Sequence, residues 1–196
     1  MRILSALILV SLAGSLYFLV FANVGIPKGL TAIQDFDVNR YTGTWYEVAR
    51  LDHGFEKGLT HVTAEYSLRD DGGLKVVNKG FNMKSGHWEQ SEAKAYFTDK
   101  PNVGMLKVSF FGPFYGGYNI IDLDPNYRYA MVTGPKMNFF WILSKDKTMS
   151  PETLQMLVQK AKGLGFKLDK MILVDQKPGT VPEEGQEKAA PPVGAH

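Results

Sequence analysis

Eight segments with the length and residue pattern of β-strands follow one another along this chain, and they constrain its fold more than any other feature. Within residues 60–69, for example, apolar side chains alternate with polar ones from Val62 onward, which is typical of a strand with one buried face. The eight predicted strands cover residues 43–50, 60–69, 74–81, 88–98, 103–111, 117–123, 127–133 and 139–145. Because the connections are too short for parallel crossovers, the strands must be antiparallel, and eight of them can close into an up-and-down barrel.

One helix follows the predicted strands. Ser150 is a suitable N-cap, Pro151 fits the first helical position, and Gly165 ends the segment. An apolar stripe at helical spacing predicts that the helix packs on the outer wall of the barrel; it consists of Leu154, Leu157, Val158, Ala161 and Leu164. A last strand is predicted at residues 171–174. The predicted fold class is therefore all-β, an eight-stranded antiparallel up-and-down β-barrel with one C-terminal α-helix packed outside and a short final strand.

The two ends of the chain lie outside the predicted domain. Residues 1–22 contain one arginine and then an unbroken apolar or small stretch, which is typical of a secretory signal peptide and is also long enough to serve as an N-terminal membrane anchor. Both alternatives predict that the domain is exported. Residues 23–36 are interpreted as a connector, residues 37–176 as the domain, and residues 177–196, rich in Pro, Gly, Glu and Lys, as a disordered tail.

The composition excludes several classes of site. The chain has no cysteine, which excludes a thiol nucleophile, a cysteine-ligated zinc or iron–sulfur site, and a lipid-modified N-terminal cysteine. The formal net charge is +2 with acidic and basic residues interspersed, so we expect no nucleic-acid partner. The four histidines show no metal-binding spacing, and no Ser/His/Asp set is evident. We therefore expect no metal, no cofactor and no catalytic residues.

The first predicted strand opens with Gly43-Thr-Trp45, which predicts how one end of the barrel, here called the floor, is closed. Gly43 allows a tight turn, and the indole of Trp45 then plugs the floor. In an up-and-down barrel alternate connections lie at the same end, so Lys145, at the end of the eighth strand, is also predicted at the floor. Its ammonium group can lie over the Trp45 ring.

Three motifs in this order resemble those of the lipocalin family. The element Gly43-x-Trp45-Tyr46 is similar to the family's first motif. Residues 124–132 occupy the place of the second motif without its usual Thr-Asp-Tyr start. Residues 140–145 are similar to the third, with Lys145 in place of the customary arginine. This replacement keeps the charge and loses the planar guanidinium that stacks on an indole.

Longer segments resemble the bacterial outer-membrane lipoprotein branch of the family, which is similar to apolipoprotein D; they are residues 67–73, 107–117 and 151–176. The resemblance implies a carrier of the cell envelope, in the periplasm or at the outer membrane, that holds a fatty acid, a lysophospholipid or a similar amphiphile for membrane maintenance under stress. Phe21, Ala22 and Asn23 stand where the lipoproteins of this branch carry their lipid-modified cysteine, which argues against an acyl anchor here.

Strand parity predicts which side chains line the barrel interior. For the strand at 117–123 we expect Asp122 to face water, which turns Asn119 and Ile121 inward. The predicted lining of the calyx consists of Ala64, Tyr66, Val76, Asn78, Ala93, Ala95, Phe97, Leu106, Val108, Phe110, Asn119, Ile121, Phe139 and Trp141. Rings mixed with small alanines favour a hollow with apolar walls, although rings can also fill a small barrel completely. Glu47 shares the parity of Trp45, and we interpret it as a structural residue.

The end of the barrel opposite the floor, here called the mouth, carries an aromatic loop. Its ring and proline residues are Phe110, Phe111, Pro113, Phe114 and Tyr115. Two interpretations remain open: the rings fold over and pack on the barrel rim, or they form a lip that admits lipid chains or touches a membrane surface.

The favoured function is a lipid-binding carrier without enzymatic activity. The alternatives are a membrane-docked interaction protein that uses the loop at 110–115, a lipocalin-type enzyme, for which the cysteine of the isomerase kind is lacking, and a pigment carrier. The expected partners are a lipid or another small hydrophobic ligand and a membrane surface, and a homodimer is left open.

Overall fold

The computed structural model describes residues 23–54 and 56–186 of the chain. The predicted signal peptide or anchor, residues 1–22, and the end of the predicted tail, residues 187–196, lie outside the described residues. In chain order the elements are α1 (Val38–Tyr41), β1 (Gly43–Leu51), β2 (Leu59–Leu68), β3 (Leu74–Asn82), β4 (His87–Phe97), β5 (Met105–Ser109), β6 (Gly116–Leu123), β7 (Tyr129–Thr133), β8 (Phe140–Ser144), α2 (Pro151–Gly163) and β9 (Met171–Leu173).

The strands form one sheet that closes on itself. Their order is β2-β3-β4-β5-β6-β7-β8-β1-β9, and β1 also pairs with β2, which completes an eight-stranded barrel. Every neighbouring pair is antiparallel, and β9 adds to β1 outside the closed ring. The predicted fold class is confirmed, because short connections leave antiparallel pairing as the available arrangement. No helix among the described residues is long and apolar enough to cross a bilayer.

The connections divide between the two ends of the barrel. β1 runs from the floor to the mouth, so the connections at 69–73, 98–104, 124–128 and after β8 lie at the floor. The four mouth loops cover residues 52–58, 83–86, 110–115 and 134–139, and Phe55 of the first is not described.

Helix α2 packs against the outside of the barrel. It begins at the predicted cap, where the Ser150 hydroxyl accepts a hydrogen bond from the Thr153 amide at 3.2 Å. Its buried residues Leu157 and Ala161 contact an outer apolar cluster that includes Phe140 and Met131. Leu164, which the helical stripe also placed on the buried face, is 37% exposed because it follows the last helical residue.

Residues 23–36 run along the outer face of β6 from the mouth to the floor. The Asn23 carbonyl accepts a hydrogen bond from the Gly117 amide at 3.0 Å, and the Ile33 amide donates to the Ile120 carbonyl at 2.9 Å. At the floor the Phe36 ring is buried in the core around Trp45. The segment interpreted as a connector thus contributes to the packing of the barrel.

Three register shifts interrupt the barrel strands, one of them in β2 between Thr60 and Thr63, and the other two change which side chains of the site point inward. In β1 the register shifts between Glu47 and Ala49 relative to β8, and in β6 it shifts between Ile120 and Asp122 relative to β7. A bulge adds one residue to one strand, so the alternation of inward and outward side chains reverses beyond it. Both bulges lie in strands that border the barrel interior, and they decide the composition of the site.

Candidate functional site

The floor of the barrel is sealed by Trp45. Its side chain is fully buried, and its indole Nε1 donates a hydrogen bond to the Tyr41 carbonyl at 2.7 Å. The Tyr41 ring lies against the indole with ring centroids 4.5 Å apart. Gly43, two residues before Trp45, has φ +87°, a backbone conformation that residues other than glycine rarely adopt. The turn into β1 therefore depends on glycine at this position.

Lys145 lies beside this floor. Its ammonium nitrogen is 4.6 Å from the centroid of the Trp45 ring and donates a hydrogen bond to the Thr42 carbonyl. Partial burial lowers the pKa of the Lys145 ammonium group. The counting of strand ends placed this lysine at the floor, and the structure brings it to the indole.

Above the floor the barrel encloses a cavity of about 350 Å³. Its outer end is formed by mouth-loop residues, among them Glu56, Phe111 and Pro135, so the cavity opens at the mouth. The predicted lining residues that border it are Ala64, Tyr66, Val76, Asn78, Val108, Phe110, Phe139 and Trp141. The rings therefore do not fill the barrel completely.

Four other predicted lining residues lie closer to the floor. Ala93, Ala95, Leu106 and Phe97 pack in the apolar core that surrounds Trp45 and do not border the cavity. The Phe97 ring, for instance, lies 6.2 Å from that of Phe36. Parity gives the direction of a side chain but not its height along the barrel axis, and here side chains packed around Trp45 fill the floor end of the interior.

The predicted orientation of β6 is wrong. Asn119 points outward, where its amide nitrogen donates to the Gly25 carbonyl at 3.0 Å, and Ile121 packs in the outer cluster beneath helix α2. Asp122 faces outward, as expected, and its carboxylate lies 2.5 Å from the Lys160 ammonium nitrogen. The bulge between Ile120 and Asp122 lets two successive residues, Ile121 and Asp122, face outward. The inward side chains of this strand are therefore Tyr118, Ile120 and Leu123.

The rings of the aromatic mouth loop lie in two kinds of environment, packed and exposed. Tyr115 packs on the barrel wall, where its ring lies 6.4 Å from that of Tyr96 and 4.9 Å from the Lys107 ammonium nitrogen. Phe111 borders the cavity and is 67% exposed, and Phe114 is 41% exposed. Pro113, between them, is exposed as well.

A buried charged cluster occupies the mouth side of the cavity. The Arg50 guanidinium donates to the Glu47 carboxylate at 2.6 Å, and the two side chains are 1% and 3% exposed. The same guanidinium donates to the carbonyls of Glu56 and Leu59 at 2.8 and 3.0 Å. These bonds tie the first mouth loop to the barrel wall.

Glu56 connects the first mouth loop to β8. Its carboxylate accepts a hydrogen bond from the Trp141 indole at 3.0 Å and lies 3.3 Å from the His53 imidazole. The ring of His53 in turn lies 4.9 Å from that of Trp141. One polar rim thus joins β1, the first mouth loop and β8.

The pKa values of this cluster are set first by burial. Burial raises the pKa of the Glu47 carboxyl, the nearby negative charge of Glu56 raises it further, and Arg50 opposes the shift. Burial also lowers the pKa of the His53 imidazole, which the Glu56 carboxylate opposes. Each shift favours the uncharged form of its group, as expected where water is largely excluded.

Three tyrosine hydroxyls meet at the inner end of the cavity. The Tyr118 hydroxyl lies 2.7 Å from that of Tyr41 and 2.7 Å from that of Tyr66. Burial raises the pKa of all three hydroxyls, so they remain neutral and can donate or accept hydrogen bonds. Tyr66 and Tyr118 border the cavity, which places a polar group at the base of an otherwise apolar chamber.

Strand parity missed Arg50, His53, Glu56 and Tyr118. Arg50 and Tyr118 were missed because the bulges reverse the alternation, and nothing in the local residue pattern marks either bulge. His53 and Glu56 belong to a mouth loop, where alternation gives no direction. Glu47 is the part of the cluster that parity did turn inward, and it pairs with Arg50.

The chamber changes in polarity along its length. Apolar walls enclose most of the chamber, and polar groups stand at both ends. Among residues 23–54 and 56–186, no group of three or more His, Cys, Asp or Glu side chains is placed to hold a metal ion. A chamber with this distribution of polarity suits an amphiphilic molecule.

The sequence is similar to several known proteins. The outer membrane lipoprotein Blc of Escherichia coli (strain K12) is 57% identical over 154 residues, which cover 79% of this chain and 86% of that protein. Apolipoprotein D of Mus musculus is 31% identical over 152 residues, which cover 73% of this chain and 78% of that protein. These matches confirm the resemblance identified from the motifs.

The fold is shared with solved structures of lower identity. Insecticyanin from the tobacco hornworm Manduca sexta superposes with a TM-score of 0.62 at 22% identity and covers 80% of this chain and 88% of its own. The family model for the lipocalin-like domain matches residues 36–176, from the segment that enters the floor to the end of β9 and its flanking residues. The chain therefore belongs to the lipocalin family.

Proposed function

We propose that the protein is a carrier that holds a single-chain amphiphile, a fatty acid or a lysophospholipid, in the barrel cavity. The observation that carries the proposal is a chamber of about 350 Å³ that is closed below by Trp45 and bordered above by the mouth loops. This volume lies in the range of about 300–1,000 Å³ that is usual for small-molecule sites.

The walls of the chamber suit an acyl chain. Side chains such as Val76, Val108, Phe110 and Phe139 offer apolar surface, and removal of a chain from water yields about 0.8 kcal/mol for each methylene. A chain of about 16 carbons therefore reaches micromolar affinity or tighter after the cost of association.

The polar head of the ligand lies at the mouth in this proposal. A charged or zwitterionic head keeps its hydration there, whereas its burial near the floor would cost several kcal/mol. The His53, Glu56 and Trp141 group borders the same end of the chamber and offers both hydrogen-bond donors and acceptors.

We further propose that the carrier works in the bacterial cell envelope and supports membrane maintenance. The support is the similarity to proteins named outer membrane lipoprotein Blc, at 57% identity in Escherichia coli (strain K12). Because the chain contains no cysteine, the lipid-modified cysteine of a lipoprotein has no counterpart in it. Attachment to a membrane must then use other parts of the protein.

A titration tests the carrier function. Lysophosphatidylcholine or palmitate, added below its critical micelle concentration, is expected to change the tryptophan emission saturably, because Trp141 borders the chamber. The variant Ala64→Phe places a ring in the chamber and is expected to weaken binding at least tenfold. Ser67→Phe, on the exposed outer face of the same strand, is the matched control and is expected to bind as the unmodified protein does. Absence of a saturable change with an intact barrel would contradict the proposal.

A further inference from the structure

Three of the seven exposed large apolar side chains among the described residues lie in the mouth loops. Phe111 is 67% exposed, Phe114 is 41% exposed, and Met83 of the neighbouring mouth loop is 62% exposed. These side chains come from two mouth loops, at 83–86 and 110–115, and Phe111 of the second borders the cavity. Large apolar side chains clustered at one end of a small domain mark a contact surface.

Lysines surround this apolar group. Lys57, Lys84 and Lys136 are exposed and come from three different mouth loops. The acidic residues of the mouth loops are Asp52, which is exposed, and Glu56, whose carboxylate turns inward to Trp141. In contrast, the floor connections at 69–73, 98–104, 124–128 and 145–150 carry five basic and five acidic residues. The mouth loops themselves therefore carry an excess of exposed positive charge, beside the exposed Glu89 and the ion pair between Lys79 and Glu184.

The start of the described chain lies at the same end. The Asn23 carbonyl accepts from the amide of Gly117, the second residue of β6, and the Gly25 carbonyl accepts from the Asn119 side chain at 3.0 Å. Gly117 lies two residues after the end of the aromatic loop at 110–115. Residues 1–22, whose sequence is almost entirely apolar, therefore join the domain beside that loop.

We propose that the mouth end of the barrel docks on the surface of a bilayer that contains anionic phospholipids. Met83, Phe111 and Phe114 insert at the level of the headgroups, and Lys57, Lys84 and Lys136 contact the anionic headgroups. The opening of the cavity then faces the bilayer. The docking surface is independent of the cargo, because it would form whatever molecule the cavity holds.

Fluorescent labels at the two ends of the barrel test this orientation. Because the chain has no cysteine, Ser85→Cys in a mouth loop and Asn126→Cys at the floor each provide a single labelling site. The full chain, labelled with an environment-sensitive dye, is mixed with vesicles of phosphatidylglycerol and phosphatidylcholine that contain a lipid-attached quencher. We expect a blue shift and quenching at residue 85 and neither at residue 126. Equal signals at both sites, or stronger quenching at residue 126, would overturn the proposal.

Substitutions in the Ser85→Cys background separate the apolar and the charged contributions. Met83→Ser with Phe114→Ser is expected to abolish the quenching, whereas Leu68→Ser with Met156→Ser, at exposed apolar positions away from the mouth, is the matched control. Lys57→Gln, Lys84→Gln and Lys136→Gln together are expected to abolish the preference for anionic over purely zwitterionic vesicles. The control triple, Lys94→Gln, Lys100→Gln and Lys162→Gln, removes equal charge elsewhere and keeps that preference.

Two further results distinguish this proposal from its rivals. The lysolipid titration without vesicles reports on the cavity alone, so its failure would contradict the carrier function and leave the vesicle result unchanged. If Met83→Ser with Phe114→Ser changes the sedimentation of the free protein from a dimer to a monomer and leaves the quenching at residue 85 intact, the mouth is an interface between two copies and the docking proposal is wrong.

Discussion

The Arg50 guanidinium lies 2.6 Å from the Glu47 carboxylate, and both groups are almost completely removed from water inside the barrel. The bulge after Glu47 brings the two side chains to the same face of β1. Arg50 also holds the backbone carbonyls of Glu56 and Leu59. The pair therefore fixes the first mouth loop over the cavity.

Removal of Arg50 is expected to destabilise the fold strongly. Arg50→Met leaves the Glu47 carboxylate buried without its cation, and such a change typically costs about 3–5 kcal/mol. The free energy of unfolding from urea titration measures the loss. The double variant Glu47→Met with Arg50→Met removes both charges and is expected to recover part of the loss, because paired buried charges are often replaceable by apolar residues, whereas the Glu56 and Leu59 carbonyls still lack this donor.

The matched control for Arg50 is Arg69. Arg69 pairs with Asp71 at 2.7 Å in an exposed floor turn, where solvent screens the interaction. Arg69→Met is expected to lower the stability much less than Arg50→Met. Equal losses in the two variants would contradict the structural role of the buried pair.

His53 gives the stability a pH dependence of defined sign. Burial lowers the pKa of its imidazole from the ordinary value of 6.5, so the unfolded chain binds the proton more readily than the folded protein. The contribution is therefore fully present above pH 6.5 and is lost as the pH falls through the folded pKa. We expect the urea concentration at the midpoint of unfolding to decrease as the pH is lowered below 6.5. The decrease is expected to be smaller in the His53→Gln variant.

Glu47 acts in the opposite direction, since its raised pKa favours the folded state at low pH and this contribution is lost as the pH rises through the folded pKa. The comparison of His53→Gln with the unmodified protein isolates the histidine, because Glu47 is present in both. An unchanged pH profile in His53→Gln would show that this imidazole does not titrate between the two states.

The need for glycine in the floor turn can be tested by comparing Gly43 with Gly163, a glycine at the end of α2. Gly43→Ala places a side chain at φ +87° and is expected to cost about 1–2 kcal/mol. Gly163, the last residue of α2, has open space where a Cβ would lie, so Gly163→Ala is expected to stabilise the protein by about 0.5–1 kcal/mol. Thermal unfolding of both variants measures the difference. A loss of stability in Gly163→Ala similar to that in Gly43→Ala would contradict the role of the left-handed turn.

The sequence predicted the barrel and its floor because both follow from regular patterns. Alternation and short connections determine the strand order, and counting strand ends brings Lys145 to Trp45. The same alternation is misleading wherever a strand contains an extra residue. Arg50 therefore faces inward and Asn119 outward, contrary to their parity.

The sequence pattern also did not predict how high along the barrel axis a side chain lies. Ala95 and Leu106 have the predicted inward direction but pack around Trp45, below the cavity. The rings of Phe36 and Tyr41 belong to the same core. Phe36 belongs to a segment that showed no strand or helix pattern, so nothing in the sequence placed it in the core.

Asn119 offers a test of how the N-terminal segment is held. Its amide nitrogen donates to the carbonyls of Gly25, Thr133 and Gly134 at 3.0, 3.3 and 3.4 Å. Asn119→Ala leaves these acceptors without that donor, a change expected to cost about 1–3 kcal/mol. Hydrogen exchange is expected to become faster in residues 23–30, because the bond to Gly25 is lost. Asn78→Ala, an asparagine that borders the cavity instead, should leave the exchange of this segment unchanged. Equal acceleration in the two variants would mean that the outward side chain of Asn119 does not anchor the segment.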